Sequence, residues 1–299
     1  MKILLLTTPI PPSHFAEAIA AHAPELSLLE YHDGLGDAEL ADVEVVLAWQ
    51  LPAGITARLP RLKWVSAIAA GVDKLLVPDL PAGVAVSRIV DPDQGEGIGQ
   101  YVALMALRHA RGLARYEAQQ RERLWQRRPV AAVRSRVGVL GTGAMGGAIM
   151  SCLSAVGFAV RGWSRSSGTA LEAVLAASDI VVCALPLTDA TRGILNAARF
   201  VQMPAGSYLI NVARGEHVVE ADLIAAVAAG HLAGAALDVQ CHEPMAADDP
   251  LWAVPGITVT PHIAAQSSPQ TIAAQFVASY RRVAAGQDPL NRVDRTRGY

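Results

Sequence analysis

The feature that most restricts this chain is a glycine pattern, Gly141-Thr142-Gly143-Ala144-Met145-Gly146. It lies between an apolar run at residues 137–140 and an apolar helical stretch at 144–156. G-x-G-x-x-G is a weak signal alone. Between a strand and a helix it marks the first turn of a dinucleotide-binding unit. Gly141 permits the tight turn, Gly143 lets the backbone approach a pyrophosphate, and Gly146 allows close helix–strand packing. The helix N-terminus then offers its unpaired N–H groups to the phosphates.

The rest of the chain fits that beginning. Apolar runs at 159–163, 180–184, 208–212, 234–238 and 257–259 continue a strand–helix alternation, with a helix at 171–177. A second series precedes it, with strands at 3–6, 43–48, 63–68 and 84–86. The spacing predicts one long helix over 97–125, basic in its later part and read as a solvated face or a subunit contact. A last helix is predicted over 269–285. The expected fold is α/β: two doubly wound parallel-sheet domains of Rossmann or flavodoxin type with a cleft between them. Residues 98–265 form the dinucleotide-binding domain. Residues 1–97 and 266–299 form a discontinuous substrate domain, completed by the last helix.

Composition narrows the function classes. With 25 basic and 27 acidic residues, the chain has no excess of positive charge that would point to nucleic acid. No apolar run approaches the ~18 residues needed to cross a bilayer, and the first residues read as a strand rather than a signal peptide. The cysteines, Cys152, Cys183 and Cys241, form no C-x-x-C pair, and their odd number argues against a disulfide framework. A cytoplasmic location is the expectation.

The strand after the glycine helix bears on the cofactor. An NAD site usually carries a carboxylate about 20 residues on, bonded to the ribose 2′-hydroxyl. This chain has Trp163-Ser164-Arg165-Ser166 there, with no carboxylate. Arg165 can pair with a 2′-phosphate, and Ser164 or Ser166 can donate to it, so NADPH is expected to be preferred, with NADH possible. The alternative for Arg165 is a solvated loop residue.

Three residues then follow strand ends, where open parallel sheets bind ligands. Arg214 (Asn211-Val212-Ala213-Arg214-Gly215) can clamp a carboxylate and polarise a carbonyl. Glu243 (Asp238-Val239-Gln240-Cys241-His242-Glu243-Pro244) can orient an imidazole. His262 (Thr260-Pro261-His262-Ile263-Ala264) can serve as general acid. Singly, each has a structural alternative: a salt bridge, a turn residue and a core histidine. No zinc-binding motif is present, and no metal is expected.

In order and spacing, the segments 139–146, 211–215, 237–244 and 260–264 resemble the D-2-hydroxyacid dehydrogenase family. Residues 163–166 and 293–299 resemble its branch acting on glyoxylate and hydroxypyruvate. The resemblance implies that Arg214, Glu243 and His262 are the catalytic set. It implies that Ala70 and Gly71 present N–H groups to the substrate carboxylate, and that Leu185, Pro186 and Ala213 line the nicotinamide pocket. Asp238 would hold the carboxamide end. Trp49 and Trp125 would flank the substrate, Trp125 across a homodimer; the alternative for each is a core tryptophan. One departure from the family is the glycine-rich stretch Gln94-Gly95-Glu96-Gly97-Ile98-Gly99, which would alter stiffness between the domains. The expected reaction is NADPH-dependent reduction of a small 2-oxo acid to the D-2-hydroxy acid, with no nucleic-acid or membrane partner. The alternatives are a reductase of bulkier aromatic or branched 2-oxo acids and a nicotinamide-sensing binding protein without catalysis.

Overall fold

The computed structural model describes residues 1–128, 135–296 and 298. Along the chain run β1 (Lys2–Leu6), α1 (Pro12–His22), β2 (Leu28–Glu30), α2 (Asp37–Leu40), β3 (Val43–Ala48), β4 (Trp64–Ala67) and β5 (Ala85–Ser87). Then come α3 (Pro92–Ala110), α4 (Leu113–Arg121), β6 (Arg136–Leu140), α5 (Ala144–Ala155), β7 (Ala159–Trp163), α6 (Leu171–Ala176) and β8 (Ile180–Cys183). The series ends with α7 (Ala197–Phe200), β9 (Ser207–Asn211), α8 (Glu220–Ala228), β10 (Leu232–Leu237), β11 (Ile257–Val259) and α9 (Pro269–Ala284). Two compact units result: Met1–Pro92 with Gln266–Tyr299, and Asp93–Ala265.

The first unit holds a parallel sheet in the order β2-β1-β3-β4-β5. Its central strands are apolar on both faces because both faces are covered, as parallel sheets require. Leu4, Leu6, Val46, Ala48, Val65 and Ala67 enter one core. Their alternates Ile3, Leu5, Val45, Leu47 and Trp64 enter the other, against Phe15 and Ile19 of α1 and Phe276 and Val277 of α9. Trp64 stacks on Phe276 with centroids 5.1 Å apart. The C-terminal helix thus completes the first unit, and Arg295 donates to the carbonyls of Pro81 at 2.7 Å and Leu80 at 2.9 Å. Of the C-terminal motif, Arg297 and Tyr299 lie outside the described residues.

The second unit holds a parallel sheet in the order β11-β10-β9-β8-β6-β7. Its core again divides by alternation. Val137, Val139, Ile180 and Val182 pack with α3 and α5, while Leu140, Val181, Cys183 and Leu209 pack with α6 and α8. Among the described residues, no helix is long and apolar enough to cross a membrane.

One expectation is corrected here. The single helix over 97–125 is instead two helices. Gly112 takes φ +63°, the left-handed conformation that stops a helix, between α3 and α4. The glycine-rich stretch 94–99 lies inside α3, where it gives close packing. A Cβ on Gly99 would stand 3.0 Å from Cys152 Cβ, and one on Gly95 would stand 3.3 Å from Ala148 Cβ. Small residues there let α3 lie tightly on α5. The short edge strand β2 has too few residues to show a period and was not visible in the sequence pattern.

Candidate active site

Register places most of the candidate residues of the second unit. Leu140, Cys183, Asn211, Leu237 and Val259 pair in one row across β6, β8, β9, β10 and β11, and Trp163 joins it from β7. Each is the last residue of its strand. The Gly141 turn, the Ser164–Arg165 loop, Leu185-Pro186, Ala213-Arg214, Asp238–Glu243 and Thr260–His262 therefore all leave the same carboxyl edge.

The glycine turn has the shape a dinucleotide needs. Gly141 has φ +99°, and a Cβ on it would lie 2.5 Å from Ala184 O. A Cβ on Gly146 would lie 1.8 Å from Gly141 O, so only glycine lets α5 come this close. A Cβ on Gly143 would meet nothing within 4 Å, so this is open backbone surface that a pyrophosphate can approach. Gly143 is also the N-cap of α5, beside Thr142, Ala144 and Met145. The residues present fit a dinucleotide.

The next loop is ordered by its own backbone. Trp163 Nε1 donates to Thr169 O at 2.9 Å, and Ser167 donates to Ser164 O through its N–H at 3.0 Å and its hydroxyl at 2.7 Å. Ser164 and Ser166 hydroxyls lie 3.3 Å apart. Arg165 is exposed and forms no ion pair among the described residues.

The Arg214 loop is fixed from beneath by two buried polar side chains to which the sequence reading assigned no role. Asn211 accepts from Ala213 N at 3.1 Å and donates to Arg214 O at 2.8 Å. His217 Nδ1 lies 3.2 Å from Arg214 N, and its Nε2 lies 3.3 Å from Pro186 O. Nδ1 also stands 3.1 Å from Arg214 O, so the ring meets both the N–H and the C=O of Arg214. Burial holds its pKa below the ordinary histidine value. His217 thereby ties the Arg214 loop to Pro186. Arg214 itself is half-buried and donates to Ala213 O at 2.7 Å.

Gly215 brings the loops of Arg214 and Glu243 together. A Cβ there would lie 2.0 Å from Gln240 C and 2.2 Å from Cys241 N. Glu243 Oε1 accepts from Gln240 N at 3.1 Å, and Oε2 lies 2.9 Å from His262 Nδ1. A carboxylate only accepts, so Nδ1 carries the hydrogen of that bond. The His262 and Glu243 side chains stay 29% and 22% exposed, within reach of solute. Cys241, beside them, is a thiol: burial, then Glu220, push its pKa up to about 12.

His262 has φ +56°, which a residue with a Cβ adopts only when held there. Asp238 holds it. Its carbonyl accepts from His262 N at 2.8 Å, its Oδ1 from Ile263 N at 2.9 Å and its Oδ2 from Ala264 N at 2.8 Å. Thr260 Oγ1 adds a bond to Oδ1 at 2.6 Å. Asp238 is 1% exposed, and these bonds use three of roughly four acceptor positions on its carboxylate. Its first task here is to hold the His262 turn; the carboxamide role expected from the resemblance has about one acceptor position left to it.

In the first unit, Leu6, Ala48 and Ala67 end their strands side by side, so Trp49 and the 69–73 loop leave one carboxyl edge. Trp49 N donates to Leu6 O at 3.1 Å, and Ala69 O accepts from Ile89 N at 3.0 Å. The N–H groups of Ala70 and Gly71 donate to no acceptor among the described residues. Lys74 Nζ stands 4.9 Å from the Trp49 ring centroid. Trp49 is half-buried and Trp125 is 94% exposed, so the core alternative fails for Trp125. Among the described residues, no group of three or more His, Cys, Asp or Glu side chains is placed to hold a metal ion.

Residues 103–264 match the family model of the D-isomer specific 2-hydroxyacid dehydrogenase NAD binding domain. A glyoxylate/hydroxypyruvate reductase A of Yersinia enterocolitica is 38% identical over 282 residues, covering 88% of this chain and 90% of that one. A D-isomer specific 2-hydroxyacid dehydrogenase of Xanthobacter autotrophicus, solved with NADPH and MES, superposes with a TM-score of 0.90 at 41% identity, covering 100% of this chain and 99% of that one. An NADPH-dependent glyoxylate/hydroxypyruvate reductase of Sinorhizobium meliloti, solved with NADP and sulfate, gives a TM-score of 0.90 at 30% identity over 100% and 99% of the two chains. With a whole-length match to reductases of this kind and the dinucleotide turn they require, the chain belongs to the D-isomer specific 2-hydroxyacid dehydrogenases, NAD(P)-dependent oxidoreductases of 2-hydroxy and 2-oxo acids.

Proposed function

We propose that this chain is an NADPH-preferring reductase of glyoxylate and hydroxypyruvate, forming glycolate and D-glycerate. The observation that carries this reading is the His262–Glu243 pair at 2.9 Å, on a turn held in the left-handed conformation at the carboxyl edge of the sheet. Glu243 fixes the imidazole with Nδ1 protonated, which leaves Nε2 to deliver a proton to the oxygen of the substrate carbonyl. Arg214 stabilises the charge that develops on that oxygen and clamps the carboxylate. The N–H groups of Ala70 and Gly71 are assigned to the same carboxylate, as the resemblance to the family implies. Residues 141–146 would hold the nicotinamide cofactor, with Leu185, Pro186 and Ala213 lining its pocket, and the bound cofactor would supply the hydride for the carbonyl carbon. Asp238 serves the site mainly by holding His262.

The preference for NADPH rests on the ordered 164–169 loop, the uncommitted Arg165 and the absence of a carboxylate that would repel a 2′-phosphate. The NADPH- and NADP-bound relatives of Xanthobacter and Sinorhizobium support it. We also propose a homodimer, with Trp125 reaching the partner's substrate.

The test is a panel of 2-oxo acids run with NADPH and with NADH, followed by loss of reduced-nicotinamide absorbance. Glyoxylate and hydroxypyruvate with NADPH are expected to give the highest kcat/KM. A better rate with aromatic or branched acids moves the substrate assignment to the bulkier class. Equal or better use of NADH overturns the role of Arg165. No turnover of any 2-oxo acid overturns the catalytic reading in favour of a binding protein.

A further inference from the structure

We infer that Tyr101 is a positioning residue of this site, whose hydroxyl begins a chain of hydrogen bonds through Thr260 and Asp238 that fixes the His262 turn. The inference rests on the reading above that His262 delivers the proton. Tyr101 lies midway along α3, and its hydroxyl stands 2.6 Å from Thr260 Oγ1. Thr260 Oγ1 stands in turn 2.6 Å from Asp238 Oδ1. A hydroxyl has one hydrogen to give, and the Asp238 carboxylate only accepts. Thr260 therefore donates to Asp238, and Tyr101 must donate to Thr260. The direction of the chain is set from the helix toward the carboxylate.

The far end of the chain is the catalytic turn. Asp238 Oδ1 and Oδ2 hold Ile263 N and Ala264 N, and the Asp238 carbonyl holds His262 N. These three N–H groups begin at His262, whose φ of +56° needs such support. Burial pushes the Tyr101 phenol up to about 12, so its proton is in place at neutral pH. Gln240 adds a parallel hold on the same segment: its side-chain amide donates to Leu237 O at 3.0 Å and to Thr260 O at 3.3 Å. Helix α3 thus supplies the outer anchor of a turn that follows β11.

The test uses the full-length chain with four variants: Tyr101→Phe, Thr260→Val, Thr260→Ser and the double variant Tyr101→Phe/Thr260→Val. Tyr101→Phe removes one oxygen and keeps the ring, so the packing of α3 survives. It is expected to lower kcat for glyoxylate about tenfold, with a smaller change in KM, because a buried acceptor loses its donor. Thr260→Ser, which keeps the hydroxyl, recovers most of what Thr260→Val loses. The double variant is no worse than Thr260→Val, because both changes cut the same chain. A second readout is the imidazole NMR signal of His262, identified by its loss in His262→Ala. It is expected to shift or broaden in Tyr101→Phe. Wild-type kcat in Tyr101→Phe, unchanged His262 signals, or additive losses in the double variant each overturn the inference. If the wild-type chain reduces no 2-oxo acid, the functional reading fails by itself, and the His262 signals still decide the positioning role.

Discussion

His262 and Glu243 are joined by the Nδ1–Oε2 hydrogen bond, and His262 holds a backbone conformation that costs free energy unless the surroundings impose it. Removing the imidazole should therefore damage chemistry more than folding. His262→Ala is expected to lower kcat by about 10²–10⁴-fold, the usual range for a lost general acid, with near-normal binding of NADPH. Stopped-flow turnover and fluorescence titration measure the two quantities, and full activity in the variant removes His262 from the mechanism. His217 allows a different test at this scale. Burial holds its pKa below the ordinary value of 6.5, and His109 is lowered for the same reason. The unfolded chain then binds more protons than the folded one below pH 6.5, so stability is complete above that pH and falls as pH drops toward the lowered values. The carboxylates lowered by arginine or lysine partners, Glu44, Glu117, Glu172 and Asp179, act in a separate, more acidic window below their ordinary values of 4.5 and 3.8. Urea midpoints measured downward from pH 7 are expected to fall first in the histidine window, and less steeply in His217→Asn. Identical slopes for the two proteins would show that burial does not lower the His217 pKa in the fold.

At the scale of elements, one glycine sets the distance between two catalytic loops. Gly215 lies against the Gln240–Cys241 peptide so closely that Gly215→Ala must push the Arg214 loop and the Glu243 loop apart. A displacement of about 1 Å at reacting groups can cost about 10²-fold, so kcat/KM should fall by about that much. Affinity for NADPH through residues 141–146 should persist. Wild-type kcat/KM in this variant would sink the claim that Gly215 sets the spacing. The strand ends that carry Arg214, Glu243 and His262 were legible in the sequence because buried parallel strands are short apolar runs with polar residues just beyond them. Adjacency was not, since it depends on the pairing of Asn211, Leu237 and Val259 in one row. Asn211 and His217 were missed as supports because a buried polar residue carries no period. The break at Gly112 was missed because Leu113, seven residues after Ala106, falls on the apolar spacing of α3, and one glycine reads equally as a tolerated interior residue. Residues such as Tyr101, which act across elements, leave no local signal at all.

At the scale of the whole molecule, the segment from α4 onward is the surface least explained by a single chain. Trp125 is 94% exposed and Leu124 43%, next to a hollow lined by Tyr116, Arg123 and Arg127. A tryptophan so exposed fits the proposed interface, because burying it against a partner would remove a large apolar area from water. The same segment carries Arg115, Arg121, Arg123, Arg127 and Arg128 against Glu117 and Glu122. Laid on its own copy across a two-fold axis, it would bring like charges together, so in the proposed dimer it is expected to rest on a different and more acidic part of the partner. The proposed dimer is then held by apolar burial with attractive charge around it. Sedimentation equilibrium is expected to give twice the chain's 31.4 kDa at low salt. Added salt should raise the dissociation constant by screening that attraction. Leu124→Glu/Trp125→Glu is expected to shift the chain to monomer. Its activity on glyoxylate should fall together with the dimer if Trp125 serves the partner's site, and stay at the wild-type level if the arm only joins subunits. A monomeric wild-type chain, or a dimer strengthened by salt, would show that the arm does not make this contact.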